Sequence, residues 1–292
     1  MQNKSYKGIV NSGIMYRFLY AIYFIRFKNT KLDHIYNRII IRVLNFLLPV
    51  MFRLSLVRPR LNERDGNRKP DLIVSLTSFP VRIEKVWMVI ETLLRQKTKP
   101  DKILLWLAKS EFSSRGSLPG RLLYLEKRGL EIRFCDENLM PHKKYFYTMT
   151  EYPGSNVITV DDDIFYPVNF ISKLIEYHNV YPKEIITVVG RKIKIHDGKI
   201  FPYKDWTYIN IESKPSFQVL PIGAGGVFYP AGSLHPDCFN IEEIKTHALM
   251  NSDLWLKIMS LRAKTRVVCI AGDFSRFFVP VYFKNNKTLM EA

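Results

Sequence analysis

The chain has 292 residues, 47% of them hydrophobic and 13% aromatic, enough apolar material for a full core, and a formal net charge of +17. This composition excludes a disordered or fibrous protein and allows one large domain or two small ones. Cys135, Cys238 and Cys269 are too scattered for a metal cluster or a disulfide framework, and they fit a reducing compartment.

The charge is concentrated at the start of the chain. Residues 1–60 carry eleven Lys/Arg, among them Lys4, Lys7, Arg17, Arg38, Arg42 and Arg53, against Asp33 alone; this is +10 of the total, and the other 232 residues carry +7. Such asymmetry points to an electrostatic anchor more than to a nucleic-acid groove across the body. The apolar uncharged runs of this segment, 18–25 and 43–52, fall well short of the roughly 18 to 20 residues that span a bilayer, so no transmembrane helix is expected. Arg38, Arg42, Asn45, Pro49 and Arg53 recur at spacings of 4, 3, 4 and 4 among Ile39, Ile40, Ile41, Val43, Leu44, Phe46, Leu47 and Leu48. A helix with that cationic stripe either lies in a membrane interface with anionic headgroups or packs on the body with its arginines in water. Pro49 is expected to kink it. No signal peptide is expected, because Arg17 interrupts the apolar stretch at 15–25 and no small-residue cleavage site follows before Arg26. Residues 1–60 are read as a basic amphipathic membrane-association segment, and 61–70 as a polar linker.

From residue 71 onward the pattern alternates. Aliphatic and β-branched runs predict strands at 71–77, 102–107, 130–135 and 157–160. Between them Ile83, Val86, Trp87, Ile90, Leu93 and Leu94 keep a helical period. A short helix is expected at Leu122, Leu123 and Leu125, ended by Gly129, and another near 143–150. This order implies an α/β fold with an open, mainly parallel sheet flanked by helices, whose ligands bind beyond the carboxyl ends of the strands. No dinucleotide fingerprint follows the first strand and no GxxxxGK motif occurs, which disfavours dehydrogenases and P-loop kinases.

The fourth strand runs straight into Asp161-Asp162-Asp163. A buried strand rarely closes on a block of like charge unless a cation sits there. Carboxylate oxygens suit Mg²⁺ or Mn²⁺ held jointly with substrate phosphates, so Asp161 and Asp163 are the candidate metal ligands. A solvated acidic turn is the plainer alternative. Thr77 and Ser78 end the first strand at the same edge.

Six ordered motifs carry a resemblance: Ile73-Val74-Ser75-Leu76-Thr77-Ser78-Phe79-Pro80; Gln96 with Pro100-Asp101-Lys102-Ile103; Gly129-Leu130-Glu131-Ile132; the Asp block with Tyr166-Pro167; Gly223-Ala224-Gly225-Gly226-Val227-Phe228-Tyr229-Pro230; and Asp253-Leu254-Trp255-Leu256-Lys257. Over about residues 71–270 the chain resembles a bacterial family of GT-A-type glycosyltransferases of cell-surface polysaccharide and lipopolysaccharide synthesis. The resemblance implies a GT-A-type catalytic domain over 71–292, a nucleotide-sugar donor, Mn²⁺ or Mg²⁺, and transfer to a glycan or lipid-linked acceptor.

It also implies roles. Asp163 would clamp a metal against the diphosphate, with Asp161 on ribose or a metal-bound water and Asp162 beside them. Thr77, Ser78 and Arg82 would receive the nucleoside and a phosphate, although Arg82 could equally be the first exposed residue of its helix. Lys143 and Lys144 would face the diphosphate, or form a solvated pair. His142 reads as a helix-entry residue, not a metal ligand. Gly225 and Gly226 would let backbone approach the sugar, with a tight turn between strands as the alternative. Asp253 would be the general base on the acceptor hydroxyl, or else an N-terminal carboxylate stabilised by the helix dipole, with Asn251 or Ser252 as the cap. The family carries two acids before the tryptophan, and Ser252 replaces the first. Many GT-A enzymes also complete the metal shell with a His well after the catalytic acid, whereas His247, the last here, precedes Asp253. The chain ends soon after Phe283-Lys284-Asn285-Asn286-Lys287, where the resemblance implies a further polar segment over the donor.

The reading is a metal-dependent nucleotide-sugar glycosyltransferase, peripheral on the cytoplasmic face of the inner membrane, where a polyprenyl- or lipid A-linked acceptor would be presented. Two other classes stay open. A metal-dependent phosphohydrolase or nucleotidyltransferase would also use a strand-end Asp cluster, but would need more acids. A nucleic-acid-binding protein would explain the charge, yet the basic residues are interleaved with long aliphatics and no stacking platform is evident, so no nucleic-acid partner is expected.

Overall fold

The computed structural model describes residues 18–19, 21–23, 25, 30–55, 58–61, 70–209, 211–270 and 278–283. The basic residues before Phe18, the linker at 62–69 and the polar residues 284–287 lie outside the described residues. In chain order the longer elements are α1 (Thr30–Leu54), β1 (Leu72–Thr77), α2 (Ile83–Leu94), β2 (Lys102–Ala108), α3 (Gly120–Tyr124), β3 (Leu130–Cys135), α4 (Lys143–Glu151) and β4 (Asn156–Thr159). After β5 (Ile164–Phe165) come α5 (Phe170–Val180), β6 (Ile185–Lys192), the short β7 (Ile195–His196), β8 (Lys199–Ile200) and β9 (Thr207–Tyr208), β10 (Val219–Tyr229), α6 (Ile241–His247), α7 (Ser252–Arg262), β11 (Val267–Cys269) and β12 (Val279–Pro280).

The aliphatic runs form an eight-stranded sheet in the order β11-β6-β10-β4-β1-β2-β3, with β9 paired to β6. Neighbours in β4-β1-β2-β3 are parallel, as are β6 and β11; β10 runs antiparallel between β4 and β6. The open, mainly parallel sheet flanked by helices is therefore the observed architecture.

Alternation along the strands divides the apolar side chains between two faces. Val74 and Leu76 of β1 join one core with Val86, Ile90 and Leu94 of α2 and Phe170 and Leu174 of α5. Ile73 packs on the other face with Leu104 and Trp106, and towards β6 and β10 that face is covered by Tyr145 and Phe146 of α4 and Trp255, Leu256 and Met259 of α7. There Thr148 of α4 meets Ser75 (Oγ to Oγ1, 2.7 Å) and accepts from Trp106 Nε1 at 2.7 Å. These buried bonds fix α4 on the sheet and set the position of its first turn.

The glycine-rich run is neither a loop nor a turn between strands. It lies inside β10, where the pairing with β6 slips between Ile222 and Val227. Gly225 and Gly226 take φ of +102° and +100°, a region most side chains avoid, and a Cβ at Gly226 would lie 2.5 Å from Phe170 Cζ.

One face of α1 is packed on the body, as the second sequence alternative has it. Ile40, Leu44, Leu48, Met51 and Phe52 are buried against the body, and the Phe52 and Phe165 rings lie 6.5 Å apart. Asn45 donates to Pro280 O at 2.8 Å and accepts from the Tyr282 amide at 2.8 Å, so it belongs to the docked face and not to the arginine stripe. The opposite face leaves Leu32, Ile35, Ile39, Val43, Phe46 and Leu54 exposed. The helix continues through the buried Pro49. The helix is 25 residues long and holds an 18-residue window of mean hydropathy 1.5, long and apolar enough to cross a membrane by length and composition alone, and 33% of that window is buried inside the protein.

Candidate active site

Ser75 of β1 pairs with Thr159 of β4, so the residues beyond each strand emerge side by side at the carboxyl edge of the sheet. One strand delivers Ser78, the other Asp161, Asp162 and Asp163.

Asp162 is the buried member of the triplet. Its Oδ2 accepts from Ser78 Oγ at 2.6 Å and its Oδ1 from Arg82 Nη1 at 2.7 Å. The same Arg82 nitrogen lies 2.8 Å from Asp163 Oδ2, so one guanidinium at the start of α2 bridges two neighbouring carboxylates. Ser78, Arg82 and Asp162 thus brace the acidic turn from beneath. Burial pushes the Asp162 carboxyl up against the opposing pull of Arg82 and Ser78. Burial together with Asp161 and Asp162 pushes Asp163 up to about 7.

Asp161 faces the other way. Its Oδ1 accepts from Lys144 Nζ at 2.6 Å, and its amide donates to the buried Tyr166 hydroxyl at 2.8 Å. Tyr166 is held by Phe170 and Phe278, at ring distances of 4.6 and 5.7 Å. Burial works against the Lys144 charge, but Asp161 and Asp253 outweigh it and hold the pKa above the ordinary lysine value.

Asp253 joins the group from α7. Asn251 is the cap, its Oδ1 accepting from the Leu254 amide at 3.1 Å, which settles the choice between Asn251 and Ser252. Asp253 Oδ2 accepts from the Gly223 amide at 2.9 Å. Burial raises the Asp253 pKa, partly offset by Lys144 and the Gly223 amide. A Cβ at Gly223 would lie 2.8 Å from Asp253 Oδ1 and 3.3 Å from Lys144 Nζ. Only glycine leaves those two groups in place.

Not every expected residue is in this group. Lys143 points elsewhere, its ammonium held by Glu111 at 3.0 Å and Asn138 at 2.7 Å. The Thr77 hydroxyl donates to Trp106 O at 2.8 Å. Gly225 and Gly226 sit against Phe278 and Phe170, and the glycine beside the carboxylates is Gly223. His142 is buried between Tyr145 Oη and Ala248 O, and burial lowers its pKa to about 4. Tyr166 and Gly223 were visible as motif members, but sequence assigned them no role.

With all four carboxylates ionised they face two cations, Lys144 and Arg82, and leave two negative charges in excess, the charge of one divalent ion. Asp161 and Asp163 offer hard oxygen donors on half-exposed side chains, a donor set that fits Mg²⁺ or Mn²⁺ shared with phosphates. Among the described residues no group of three or more His, Cys, Asp or Glu side chains is arranged to hold a metal by itself. The starts of α2, α4 and α7 supply Arg82, Lys144 and Asp253 to this spot.

Lys257, one turn after Asp253, is buried, and its ammonium has no hydrogen-bond partner among the described residues. Burial lowers its pKa to about 8. The unfolded chain therefore binds more protons than the folded one between pH 8 and the ordinary lysine value of 10.5, so this group's contribution to stability improves as pH rises through that window. Lys257→Met removes the penalty at neutral pH. The variant is expected to gain about 1–3 kcal/mol at pH 7 in urea denaturation, a gain that fades by about pH 10.

Fold and site define an open α/β protein with an acidic, cation-braced cluster at the carboxyl edge of its sheet. No family model and no curated protein matches the chain. Among solved structures it is similar to the mannosyltransferase PcManGT from Pyrobaculum calidifontis in complex with GDP-Man and Mn²⁺, at TM-score 0.34 and 13% identity over 58% of this chain and 46% of that one. It is also similar to residues 1–349 of S. aureus TarS in complex with UDP-GlcNAc (TM-score 0.46, 11% identity, 76% of this chain and 61% of that one). A third is a 4-diphosphocytidyl-2C-methyl-D-erythritol synthase (TM-score 0.43, 11% identity, 72% and 92%). The chain spans about half to three fifths of the length of the first two.

Proposed function

We propose that the protein is a GT-A-like glycosyltransferase that moves a sugar from a nucleotide-sugar donor to a glycan or lipid-linked acceptor in bacterial cell-surface polysaccharide synthesis. The observation that carries this reading is the convergence of Asp161, Asp163, Lys144 and Asp253 at the strand ends.

Asp161 and Asp163 would hold a divalent cation, which when bound neutralises charge on the departing diphosphate. The chain's own groups do the rest. Arg82 and Ser78 hold the acidic turn in place through Asp162. Lys144, held by Asp161 and attracted by Asp253, brings positive charge to the same spot. Asp253, buried and raised in pKa, takes the proton from the acceptor hydroxyl as it attacks the anomeric carbon. The Gly223 amide holds one of its oxygens and aims the other. The docked helix α1 would keep the enzyme on the cytoplasmic face of the inner membrane. A two-metal phosphohydrolase is less well supported, since no larger acidic group occurs among the described residues.

The test is thermal stabilisation by a panel of nucleoside diphosphates and nucleotide sugars, with and without Mn²⁺. A true donor at about 100 times its Kd adds roughly 2.7 kcal/mol, and the Mn²⁺-dependent part is expected to vanish in Asp163→Ala. Stabilisation by no nucleotide, or phosphate release that survives Asp163→Ala while sugar transfer does not occur, would overturn the reading.

A further inference from the structure

At the C-terminal end of α1 lies a cavity of about 370 Å³, within the roughly 300–1,000 Å³ range of small-ligand sites. Three arginines line it from three different segments: Arg53 from α1, Arg58 just beyond it, and Arg121 from α3. Each is laid on an aromatic ring. Arg53 and Arg121 lie 5.7 and 5.3 Å from the Trp87 ring centre, and Arg58 lies 5.2 Å from that of Tyr124. Aromatic faces hold a guanidinium flat without neutralising it, which leaves its donors directed outward.

None of the three is paired with an acid among the described residues. The one carboxylate lining the cavity, Glu91, is already engaged, by Arg128 on both oxygens and by Arg95 at 3.2 Å. Three like charges gathered without a counter-ion repel one another unless an anion joins them. Planar guanidinium forks match phosphate oxygens best.

The position of the cavity selects the kind of phosphate. The exposed apolar stripe of α1 runs from Leu32 through Ile35, Ile39, Val43 and Phe46 to Leu54, beside Arg53; Phe46 and Leu54 are 70% and 75% exposed. Lys31, Arg38 and Arg42 follow one flank of that stripe. An apolar ridge bordered by cations and ending at an arginine cavity matches an anionic membrane surface, acyl chains against the ridge and headgroup phosphate in the cavity.

We propose that the Arg53–Arg58–Arg121 cavity binds the phosphate of an anionic lipid headgroup and sets how α1 sits on the bilayer. This deepens the membrane-surface reading of α1 and rests on it.

The experiment is co-sedimentation of the full chain with vesicles of phosphatidylcholine, with and without phosphatidylglycerol. It compares wild type with R53Q/R58Q/R121Q and with a charge-matched control, K192Q/K194Q/K199Q, on the far strands. Thermal melts check that each variant folds. Wild type is expected to bind the phosphatidylglycerol vesicles; the arginine variant loses roughly 30-fold or more in partitioning, and the lysine control stays within about threefold of wild type. Equal loss in both variants, or none in the arginine variant, overturns the cavity while leaving membrane binding by α1 intact. If wild type binds neither vesicle, both ideas fall. Calorimetric binding of inorganic phosphate that needs the three arginines, without any arginine dependence on vesicles, would make this a soluble-phosphate site and overturn the lipid assignment.

Discussion

Asp253→Asn is expected to lower kcat by about 10²–10⁴-fold, the usual contribution of a positioned general base, while nucleoside diphosphate binding stays close to wild type. Asparagine keeps an oxygen that accepts from the Gly223 amide, so α7 and the β10 bulge should hold their places. What disappears is the group that takes the acceptor proton, along with one of the two carboxylates that hold the Lys144 charge. Steady-state kinetics and calorimetric titration of the nucleotide separate the two effects. A variant with kcat within about threefold of wild type would remove Asp253 from the chemistry. A variant that lost nucleotide affinity with unchanged kcat would make it a binding residue.

Glu91→Gln should cost about 3–5 kcal/mol of stability, measured as a lowered urea midpoint at unchanged slope. Glu91 is 5% exposed and Arg128 2%, and the arginine also donates to Pro59 O at 2.9 Å. This pair ties α2 to the turn before β3 and to the segment that leads away from α1, where the Leu61 amide donates to Arg128 O at 3.0 Å. Arg95 and Arg128 both pair with this one carboxylate, and burial together with these two arginines lowers the pKa of neighbouring Lys99 to about 8. Without it they repel one another in a dry site. The double variant Glu91→Gln with Arg128→Met should recover part of the loss, because an apolar side chain leaves no buried charge behind. A loss under about 1 kcal/mol in Glu91→Gln would mean that water reaches the arginine.

Much of the architecture was legible in the chain. Ile83, Val86, Trp87, Ile90, Leu93 and Leu94 mark α2 because a helix that covers a sheet must present one continuous apolar face. The strand expected at 130–135 is β3, residue for residue, since Gly129, at φ +103°, breaks the chain just before it. The Asp triplet also announced itself, because a buried strand that ends in like charges needs compensation from elsewhere.

Where that compensation comes from was not legible. Lys143 and Lys144 are adjacent and chemically equivalent in sequence, yet their side chains leave α4 about 100° apart, one towards Glu111 and Asn138 and the other towards Asp161. The same limit applies to the glycines, for the pleat and bulge of β10 turn Gly225 and Gly226 to phenylalanines and bring Gly223 to Asp253. In α1, period and charge fixed an amphipathic helix, but only packing against Phe165 and residues 280–282 decided which apolar face is covered and which stays open. Sequence by itself determined the elements and their order as far as residue 160 and the acidic character of the strand end there, since these follow from local periodicity and residue type. The tertiary structure alone decided which cation meets which carboxylate, because that depends on directions between segments distant in the chain, which no local pattern encodes.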